Sequence, residues 1–320
     1  MRVLIVCRYK PHLVGHAAPF IIEQYNALRD AGCEVELFPL QGYYLKQWKA
    51  LRKKIREWKP DVVHAHYGLS CLVANMATRC VPVVSTYHGS DINQPKVRPL
   101  SKLAIRLSAW NIFVSKRNMA LAGAVEGKKA SLVPCGINIP LPWNDLQKQK
   151  VEQLTLNQWV EGVLQGEKKH VLFAGAFDNA VKDPELAKQA MQELTKERVN
   201  AELVELKGYT RDQVNALMYN CDAFLMTSKT EGSPQVIKEA LACGCPIVSV
   251  DVGDVKERLE GVEGCYVVES RKPMDIAEAL RKALAFEDRT EGRKRIVEIG
   301  YTNELVAKKI IKIYEDIIGK

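Results

Sequence analysis

Two glutamates, Glu231 and Glu239, flank a glycine, a serine and a proline in the stretch TSKTEGSPQVIKEALACGCPIVSV, residues 227–250. Glu239 lies within a run of small and apolar residues, which favours a buried carboxylate over a solvated one. In nucleotide-binding α/β proteins, such a carboxylate commonly accepts hydrogen bonds from ribose hydroxyls. The alternative interpretation is that both glutamates are solvated surface charges, the ordinary state of a glutamate on a helix.

The residues around these glutamates predict a helix over residues 234–243. Ser233 is a suitable N-cap and Pro234 a suitable first helical residue, because proline lacks the N–H that would find no acceptor there. Gly244 fits the position just after the helix. The flanking apolar segments CDAFLMTS and PIVSV predict two parallel strands. The loop KTEGS then joins the carboxyl end of a strand to a helix N-terminus, where α/β sheets bind ligands and where anions are favoured.

The segment EGSPQVIKEALACGCPIV resembles the sequence motif of retaining GT-B glycosyltransferases of family 4 (glycosyl transferases group 1), which use nucleotide-sugar donors. That motif is Glu-Gly-x-Pro, a second Glu eight positions after the first, and then Ala-x-Ala-x-Gly-x-Pro, all matched here. The resemblance implies that Glu239 accepts the ribose hydroxyls. It also implies a group of residues that hold the transferred sugar and the diphosphate: Glu231, Gly232, Ser233, Pro234 and Gln235.

Two further loops match the family in part. The segment STYHGSDIN places His88 directly after a predicted strand, where a histidine can be structural or functional. It resembles the His-Gly-x-Asp segment that faces the reacting sugar, so the resemblance implies that His88 positions the sugar and that Asp91 caps or orients the loop. In the first strand-to-helix loop, Gly15 stands alone where many relatives have two glycines. By the same resemblance, this loop approaches the donor phosphate and the acceptor.

The segment FAGAFDNAVKDPELAKQA departs from the family pattern. Many relatives have an arginine directly after the glycine and a lysine six residues after it, and both hold the donor diphosphate. Here Ala176 stands in the place of the arginine, and Lys182 comes seven residues after Gly175. We expect Lys182 to bind the phosphate, the alternative being a solvated lysine. Either another cation, such as Arg8 or Lys116, replaces the arginine, or donor binding is weaker or different.

The sequence predicts no metal site and no cofactor besides the donor substrate. No Asp-x-Asp stretch occurs in the chain, and no other carboxylate cluster is placed to hold a divalent ion against a diphosphate. The resemblance implies retention of the anomeric configuration. Because no carboxylate is a convincing nucleophile for a two-step route, we expect a front-face displacement in which the departing phosphate helps to deprotonate the acceptor.

Element order predicts the domain organisation. Continuous apolar strands alternate with helices in two sets, which is typical of parallel sheets covered on both faces. The predicted strands are RVLIVC, EVELFPL, DVVHAHY, VPVVSTYH, NIFVS and SLVPCG in the first half, and HVLFAGAF, AELVEL, DAFLMTS, PIVSV and CYVVE in the second. The proline-rich and polar segment NIPLPWNDLQKQK is the predicted linker.

The predicted fold class is therefore α/β, with two Rossmann-like domains in 320 residues. By resemblance this is the GT-B fold, in which the two domains face each other across a cleft and the C-terminal helix crosses back to the N-terminal domain. The N-terminal, acceptor-side domain is predicted over residues 1–140, with a C-terminal helix at about 302–320. The donor-binding domain is predicted over residues 141–301.

The segment YYLKQWKALRKKIREWK, residues 43–59, is the strongest charge feature. Its apolar residues recur at helical spacing and form one stripe: Tyr44, Trp48, Leu51, Ile55 and Trp58. One interpretation is a sheet-covering helix with a solvated basic face. The other is contact with an anionic membrane surface or an acidic acceptor, which the formal net charge of +8 also favours. Nucleic acid is disfavoured, because neither an aromatic and basic strand platform nor a recognition-helix motif is present.

The resemblance thus implies a glycosyltransferase of the hexosyltransferase type that acts on a hydroxyl of a saccharide or lipid-linked acceptor, in surface polysaccharide or glycolipid biosynthesis. Nine cysteines without a paired cluster, and no apolar run of membrane-spanning length, favour the cytoplasm, with peripheral contact at the inner face of the membrane left open. Two alternatives remain. One is a sugar-nucleotide epimerase of similar fold. The other is a catalytically silent nucleotide-sugar binder, and Ala176 is the only feature of the sequence that favours it.

Overall fold

The computed structural model describes residues 1–319, without the side chains of Val14, Tyr44 and Leu45. The chain forms two compact units, Met1–Asn138 together with the chain from Gly300 onward, and Ile139–Ile299. Each unit contains one parallel sheet covered by helices. All the strands predicted from the apolar segments are present, which confirms the predicted alternation of strands and helices.

The first unit is built on a sheet of six parallel strands. The strands are β1 (Arg2–Arg8), β2 (Glu34–Leu40), β3 (Val62–His66), β4 (Val83–Tyr87), β5 (Trp110–Phe113) and β6 (Ala130–Leu132). Their order is β2-β1-β3-β4-β5-β6, so the direction of winding reverses between β1 and β3. Ligands of doubly wound sheets bind at such a reversal, outside the carboxyl ends of the strands.

Helices cover both faces of this sheet. They are α1 (Pro19–Asp30), α2 (Trp48–Trp58), α3 (Gly68–Ala77), α4 (Ser90–Asn93), α5 (Arg98–Leu107) and α6 (Lys116–Ala122), with short 3-10 turns at Val14–His16 and Tyr44–Gln47. Leu51 and Ile55 of α2 share a core with residues of α3 and α5. The apolar stripe of the basic segment therefore covers the sheet, as the first interpretation holds. The side chain of Tyr44, the first residue predicted for that stripe, lies outside the described residues.

The second unit has five parallel strands in the order β10-β9-β11-β12-β13 and a separate antiparallel pair, β7-β8. The strands are β7 (Lys150–Val151), β8 (Leu154–Thr155), β9 (Lys169–Phe173), β10 (Ala201–Glu205), β11 (Ala223–Met226), β12 (Ile247–Val250) and β13 (Tyr266–Val268). The helices are α7 (Trp143–Leu146), α8 (Leu156–Val163), α9 (Pro184–Lys196), α10 (Arg211–Asn220), α11 (Gln235–Ala242), α12 (Val255–Leu259), α13 (Pro273–Leu284) and α14 (Gly292–Glu298). Here the winding reverses between β9 and β11.

The segment predicted as a linker is partly folded onto the second unit. It contains α7 and the first residue of β7. Leu146 of α7 is buried in a small cluster with Leu156, Val160 and Ala216. The proline and polar content of this segment suggested a linker, but its few apolar residues are enough to dock it.

The last helix, α15 (Asn303–Ile318), packs on α1 in the first unit. Its residues Val306, Ile310 and Tyr314 join a core on the sheet face opposite to α2, α3 and α5. The chain returns through a close approach at Gly136, where a Cβ atom would lie 2.6 Å from Asn303 Oδ1. The predicted return of the C-terminal helix to the N-terminal domain is confirmed.

Among the described residues, no helix combines the length and the apolar character that a bilayer crossing needs.

Candidate functional site

The loop from β11 to α11 carries most of the predicted site residues. Glu239 is only 7% exposed, so the solvated-charge interpretation is wrong for it. The predicted helix start is also wrong. Helix α11 begins at Gln235, and Pro234 occupies the N-cap position with extended backbone (φ −66°, ψ 119°). Ser233 therefore lies one residue too early to cap the first turn.

The hydroxyl of Ser233 is available for another role. Its Oγ is buried and has no hydrogen-bond partner within the protein. Buried hydroxyl groups in proteins nearly always have a hydrogen-bond partner. The first turn of any α-helix also has backbone N–H groups without intrahelical acceptors. The start of α11 therefore has the chemistry of an anion site. At the other end, Gly244 adopts a left-handed conformation (φ 66°) just after the helix, as the sequence predicted.

Lys182 and Glu231 form an ion pair at the carboxyl edge of the second sheet. Lys182 Nζ lies 2.7 Å from Glu231 Oε1, and the two side chains are 21% and 18% exposed. The stem of the lysine passes over Gly175, where a Cβ atom would lie 2.9 Å from Lys182 Cγ. The two loops follow β9 and β11, the neighbouring strands at which the winding reverses. Lys182 thus reaches the predicted site loop despite the extra residue before it.

A set of hydrogen bonds from Thr227 and Arg271 fixes the backbone that carries Lys182. Thr227, directly after β11, shares its single Oγ1 hydrogen between the carbonyls of Lys182 and Asp183, each 2.9 Å from Oγ1. Arg271 donates to the Asp183 carboxylate at 2.7 Å and to the Thr227 carbonyl at 2.7 Å. The loops after β9 and β11 therefore hold each other in place.

Glu239 pairs with Arg211, a residue that the sequence analysis missed. Arg211 is the first residue of α10 and donates through Nη1 to Glu239 Oε1. The guanidinium is 44% exposed, whereas the Glu239 side chain is 9% exposed. A buried carboxylate needs a cationic or hydrogen-bonding partner. The available signal was the position of Arg211 shortly after β10, at the same edge of the sheet as the glutamate loop.

The replacement for the arginine missing at Ala176 was sought in Arg8 or Lys116. Arg8 ends β1 and Lys116 begins α6, so both belong to the first unit. Within the second unit, Lys182 contacts Glu231 and Arg211 contacts Glu239.

In the first unit, His88 sits in a cluster of rings at the carboxyl ends of β3 and β4. Its Nε2 lies 2.9 Å from Nδ1 of His66, and its Nδ1 lies 3.6 Å from Sγ of Cys135. The rings of Phe20 and Tyr67 lie 4.7 and 4.8 Å from the His88 ring, centroid to centroid. These contacts fix the orientation of the His88 ring.

The geometry also assigns the proton between the two histidines. His66 is fully buried, its Nε2 has no partner, and burial lowers its pKa to about 3, so the ring is neutral. A proton on Nε2 would leave a buried N–H without an acceptor, which is the more unfavourable tautomer. His66 therefore donates from Nδ1 to Nε2 of His88. When His88 is neutral, its own proton is then on Nδ1, on the side of Cys135.

Asp91 holds the loop that carries His88. Its buried carboxylate accepts backbone N–H bonds from Gly68 (3.2 Å), His88 (3.1 Å) and Gly89 (2.9 Å). Burial raises the pKa of Asp91 to about 6, and the three backbone bonds oppose that rise. The orienting role that the sequence suggested for Asp91 is what these bonds provide.

Gly15 lies in the 3-10 turn that follows β1 and has a left-handed conformation (φ 63°). A Cβ atom there would lie 2.7 Å from Ile22 Cδ1, so both the backbone and the space favour glycine. A cavity of about 250 Å³ opens at the same edge of the sheet, lined in part by Arg8, Tyr67 and Asp91. Gly15 and His88 thus belong to the first unit, and the other predicted site residues to the second.

Over residues 1–319, no group of three or more histidines, cysteines, aspartates and glutamates is placed to hold a metal ion.

Two family models match the chain, one in each half. Glycosyltransferase Family 4 matches residues 2–140, and Glycosyl transferases group 1 matches residues 146–285. The chain belongs to the group 1 / family 4 glycosyltransferases. The family predicted from the glutamate motif is confirmed.

Curated relatives are distant and longer. The chain is 25% identical over 246 residues to "Putative teichuronic acid biosynthesis glycosyltransferase TuaC" of Bacillus subtilis, which covers 72% of this chain and 62% of that protein. It is 25% identical over 253 residues to a Campylobacter jejuni enzyme named "N,N'-diacetylbacillosaminyl-diphospho-undecaprenol alpha-1,3-N-acetylgalactosaminyltransferase", which covers 69% of this chain and 64% of that protein. The chain spans less than two thirds of the length of both relatives.

Solved structures share the fold over the whole chain. Sucrose-phosphate synthase from Thermosynechococcus elongatus superposes with a TM-score of 0.77 at 17% identity and covers 100% of both chains. Anabaena HepE in complex with UDP and glucose gives a TM-score of 0.70 at 16% identity, with 98% and 99% covered. UDP-GlcNAc 2-epimerase of Methanocaldococcus jannaschii gives 0.59 at 14% identity, with 98% and 99% covered. The predicted GT-B fold is confirmed.

Proposed function

We propose that this glycosyltransferase moves a hexose-type sugar from a nucleoside-diphosphate sugar to a hydroxyl of a saccharide or lipid-linked acceptor, with retention of the anomeric configuration. The observation that carries the proposal is the contact of Lys182 with Glu231 at the carboxyl edge of the second sheet, beside the start of α11. A cation, a carboxylate and a helix N-terminus at one reversal of the sheet suit the diphosphate and the sugar of such a donor.

The donor would lie on the second unit, residues 141–301 of the predicted organisation. Glu239 accepts the ribose hydroxyls, and the start of α11 with the Ser233 hydroxyl receives the diphosphate. Glu231 and the backbone of residues 232–235 hold the transferred sugar. Lys182 offsets the charge that develops on the leaving diphosphate as the bond to the sugar breaks.

The acceptor would lie on the first unit, residues 1–140 with the C-terminal helix. His88 positions the sugar from its ring cluster, and Gly15 allows the first loop to approach donor and acceptor. The printed name of the Campylobacter jejuni relative specifies a diphospho-undecaprenol compound, and that of TuaC specifies teichuronic acid biosynthesis. These names support a lipid-linked or saccharide acceptor in surface polysaccharide or glycolipid biosynthesis for this chain, on the cytoplasmic side of the membrane.

The experiment that tests the proposal has two stages. A thermal-shift panel of nucleotide sugars identifies the donor, because binding to the folded state raises the melting temperature; the HepE complexes with UDP and UDP-glucose make UDP-sugars the first choice. Nucleotide release is then measured with and without saccharide and lipid-linked acceptors. Release that requires an acceptor supports the transferase.

Two other outcomes would replace the transferase. Conversion of the donor sugar without an acceptor would indicate an epimerase, for which the fold of the Methanocaldococcus jannaschii enzyme is a precedent. Donor binding without turnover on any acceptor would indicate a silent binder. Ala176, which stands where relatives have an arginine, is the feature that favours the second outcome.

Metal independence and retention are tested together. We expect EDTA to leave activity unchanged, since the positive charges proposed to face the diphosphate are the start of α11 and Lys182. NMR of the product in the presence of EDTA is expected to show the anomeric configuration of the donor. An inverted anomeric centre, or activity that is lost and then restored by magnesium, would contradict the proposed front-face displacement.

The pH dependence is expected to report Asp91. Its carboxylate holds the backbone of the His88 loop when ionised, so activity should fall as the pH drops through about 6. The Asp91→Asn variant should be less active at neutral pH and should lack this inflection in its pH–rate profile. An unchanged inflection in the variant would assign the titration to another group.

The same group acts on stability with the opposite sign. The folded pKa of Asp91, about 6, lies above the ordinary value of 3.8. The folded state therefore binds the proton more tightly, and this group lowers the free energy of unfolding as the pH rises between about 4 and 6. Loss of activity at low pH would accordingly not arise from a loss of stability through Asp91.

A further inference from the structure

One side of the first unit is almost without carboxylates. Between Asp61 and Glu126, the chain has a single acidic residue, Asp91, and that residue is buried. The same stretch contains seven lysines and arginines. Segment 37–56 likewise contains no acidic residue and includes the basic face of α2. The helices that cover one face of the sheet therefore present cations with few compensating charges.

Helix α5 adds an apolar stripe to this side. Leu100, Leu103 and Leu107 are 39%, 44% and 53% exposed. Their spacing of three and four residues places them on one face of the helix, while Ser101 and Ala104 face the core. Lys102 and Arg106 are exposed beside the stripe. An exposed leucine face flanked by cations is the pattern of a helix that lies in a membrane interface.

The leucine stripe is continuous with the basic surface of α2. A cavity of about 1100 Å³ connects them, lined among others by Trp48 and Arg52 of α2, Met76 of α3 and Leu107 of α5. Met76 is 45% exposed. Leu51 and Ile55 of α2 are buried, so α2 adds cations to this surface, whereas its apolar stripe faces the core.

We infer that the exposed face of α5, with the cations of α2 at its border, docks this enzyme on a bilayer that contains anionic lipids. The charge selects an anionic partner. The leucines select a bilayer over a soluble polyanion, because only the lipid interface removes apolar side chains from water. The inference adds a membrane-binding surface to the unit that is proposed to hold the acceptor. It rests on the proposed function only for the reason why the enzyme would bind a membrane. The binding itself stands on the residues of this surface.

Vesicle co-flotation of the full chain tests the inference. Wild-type protein should float with phosphatidylcholine vesicles that contain about a third phosphatidylglycerol, but not with pure phosphatidylcholine, and high salt should weaken the binding. The Leu103→Ser/Leu107→Ser variant should bind at least about tenfold more weakly. The Lys102→Gln/Arg106→Gln variant should also bind more weakly and with a smaller salt dependence.

A matched control separates a specific surface from general stickiness. Leu154, in the β7-β8 pair of the second unit, is 46% exposed and nearly equals Leu103 in exposure. Leu154→Ser should leave vesicle binding unchanged. Equal losses from Leu154→Ser and the double leucine variant would overturn the inference, and so would absence of binding to anionic vesicles at low salt.

A polyanion is the remaining outcome. If the leucine variant binds anionic vesicles like wild type while a soluble acidic polysaccharide competes for the lysine- and arginine-dependent binding, the surface recognises polyanions and the bilayer inference is wrong. Calorimetry of nucleotide-sugar binding on the same variants keeps the two proposals apart. Docking variants that keep donor affinity concern the surface alone, whereas absence of donor binding in the wild type would reject the proposed function and leave the docking result standing.

Discussion

Replacing Lys182 with alanine is expected to lower turnover about a hundredfold, as the loss of one preorganised charge at a reacting centre commonly does. The ammonium group lies 2.7 Å from Glu231, at the edge where the diphosphate is proposed to leave. Charge on the leaving group grows as the bond breaks, so the lysine matters more in the transition state than in the bound donor. We expect the turnover number to fall more than donor affinity. Steady-state kinetics and calorimetry on the same protein measure the two effects.

The control for this prediction is a lysine of the same region outside the site. Lys188 lies on α9, is exposed and faces the ring of Phe177. Lys188→Ala should retain turnover close to wild type. If Lys182→Ala also retains it, the phosphate cation is elsewhere and Arg8 or Lys116 becomes the next candidate.

Stability needs a separate measurement, because Lys182→Ala leaves Glu231 without this cation. The carboxylate is 18% exposed, so some loss of folding stability is expected. In Lys182→Ala/Glu231→Gln the negative charge is also removed. A melting temperature restored in the double variant would show that any instability of Lys182→Ala comes from the carboxylate left without its cation. Because Glu231 is itself proposed to hold the sugar, turnover is compared for Lys182→Ala alone, assayed well below its own melting temperature.

The βαβ framework was accessible from sequence, because each of its signals is local. Apolar runs predicted the strands, and Gly244 predicted the end of α11, because a left-handed residue must follow the helix. The amphipathic C-terminal segment predicted α15. The glutamate motif assigned the proposed site to the loop after β11, and that loop lies at the carboxyl edge of the sheet, as any loop after a parallel strand does.

The predictions that failed concern contacts between residues distant in sequence, or a choice between two adjacent residues for the same structural position. Arg211 and Glu239 are 28 residues apart, and only the packing of α10 beside α11 brings them together. Ser233 has the residue type of an N-cap, but Pro234 takes that position. Residue propensities thus predicted the right helical segment and missed the residue at which the helix starts.

The exposed leucines of α5 also show that a sequence pattern does not say which apolar faces are covered in the folded protein. From sequence, membrane contact is expected on segment 43–59, where the positive charge and the apolar stripe coincide. In the folded unit that stripe covers the sheet, and the exposed apolar side chains lie on α5, in the same layer of helices as α2. An amphipathic pattern predicts that a helix has an apolar face, but only the packed structure says whether that face is covered.

Replacing Glu239 with glutamine is expected to weaken nucleotide-sugar binding about tenfold or more, equivalent to about 1.4 kcal/mol. The carboxylate lies in a buried position, where a charge-assisted hydrogen bond from a ribose hydroxyl is stronger than the bond that a neutral amide accepts. Glutamine keeps the shape of the side chain, so the change tests the charge. Calorimetry with the donor identified by thermal shift gives the affinity, and the melting temperature checks the fold.

Arg211 supplies the control that decides what Glu239 does. The guanidinium donates to Oε1, but a carboxylate has about four acceptor sites, so Arg211 and two ribose hydroxyls can donate to it together. If Glu239 binds the ribose directly, Arg211→Ala should weaken donor binding less than Glu239→Gln does. Equal losses would mean that Glu239 acts by holding Arg211, and the arginine would then be the group that meets the donor. Unchanged affinity in Glu239→Gln, with the fold intact, would reject the ribose role altogether. Because Ala176 stands where the resemblance to the family implies an arginine, this comparison also tests whether Arg211 supplies part of that positive charge.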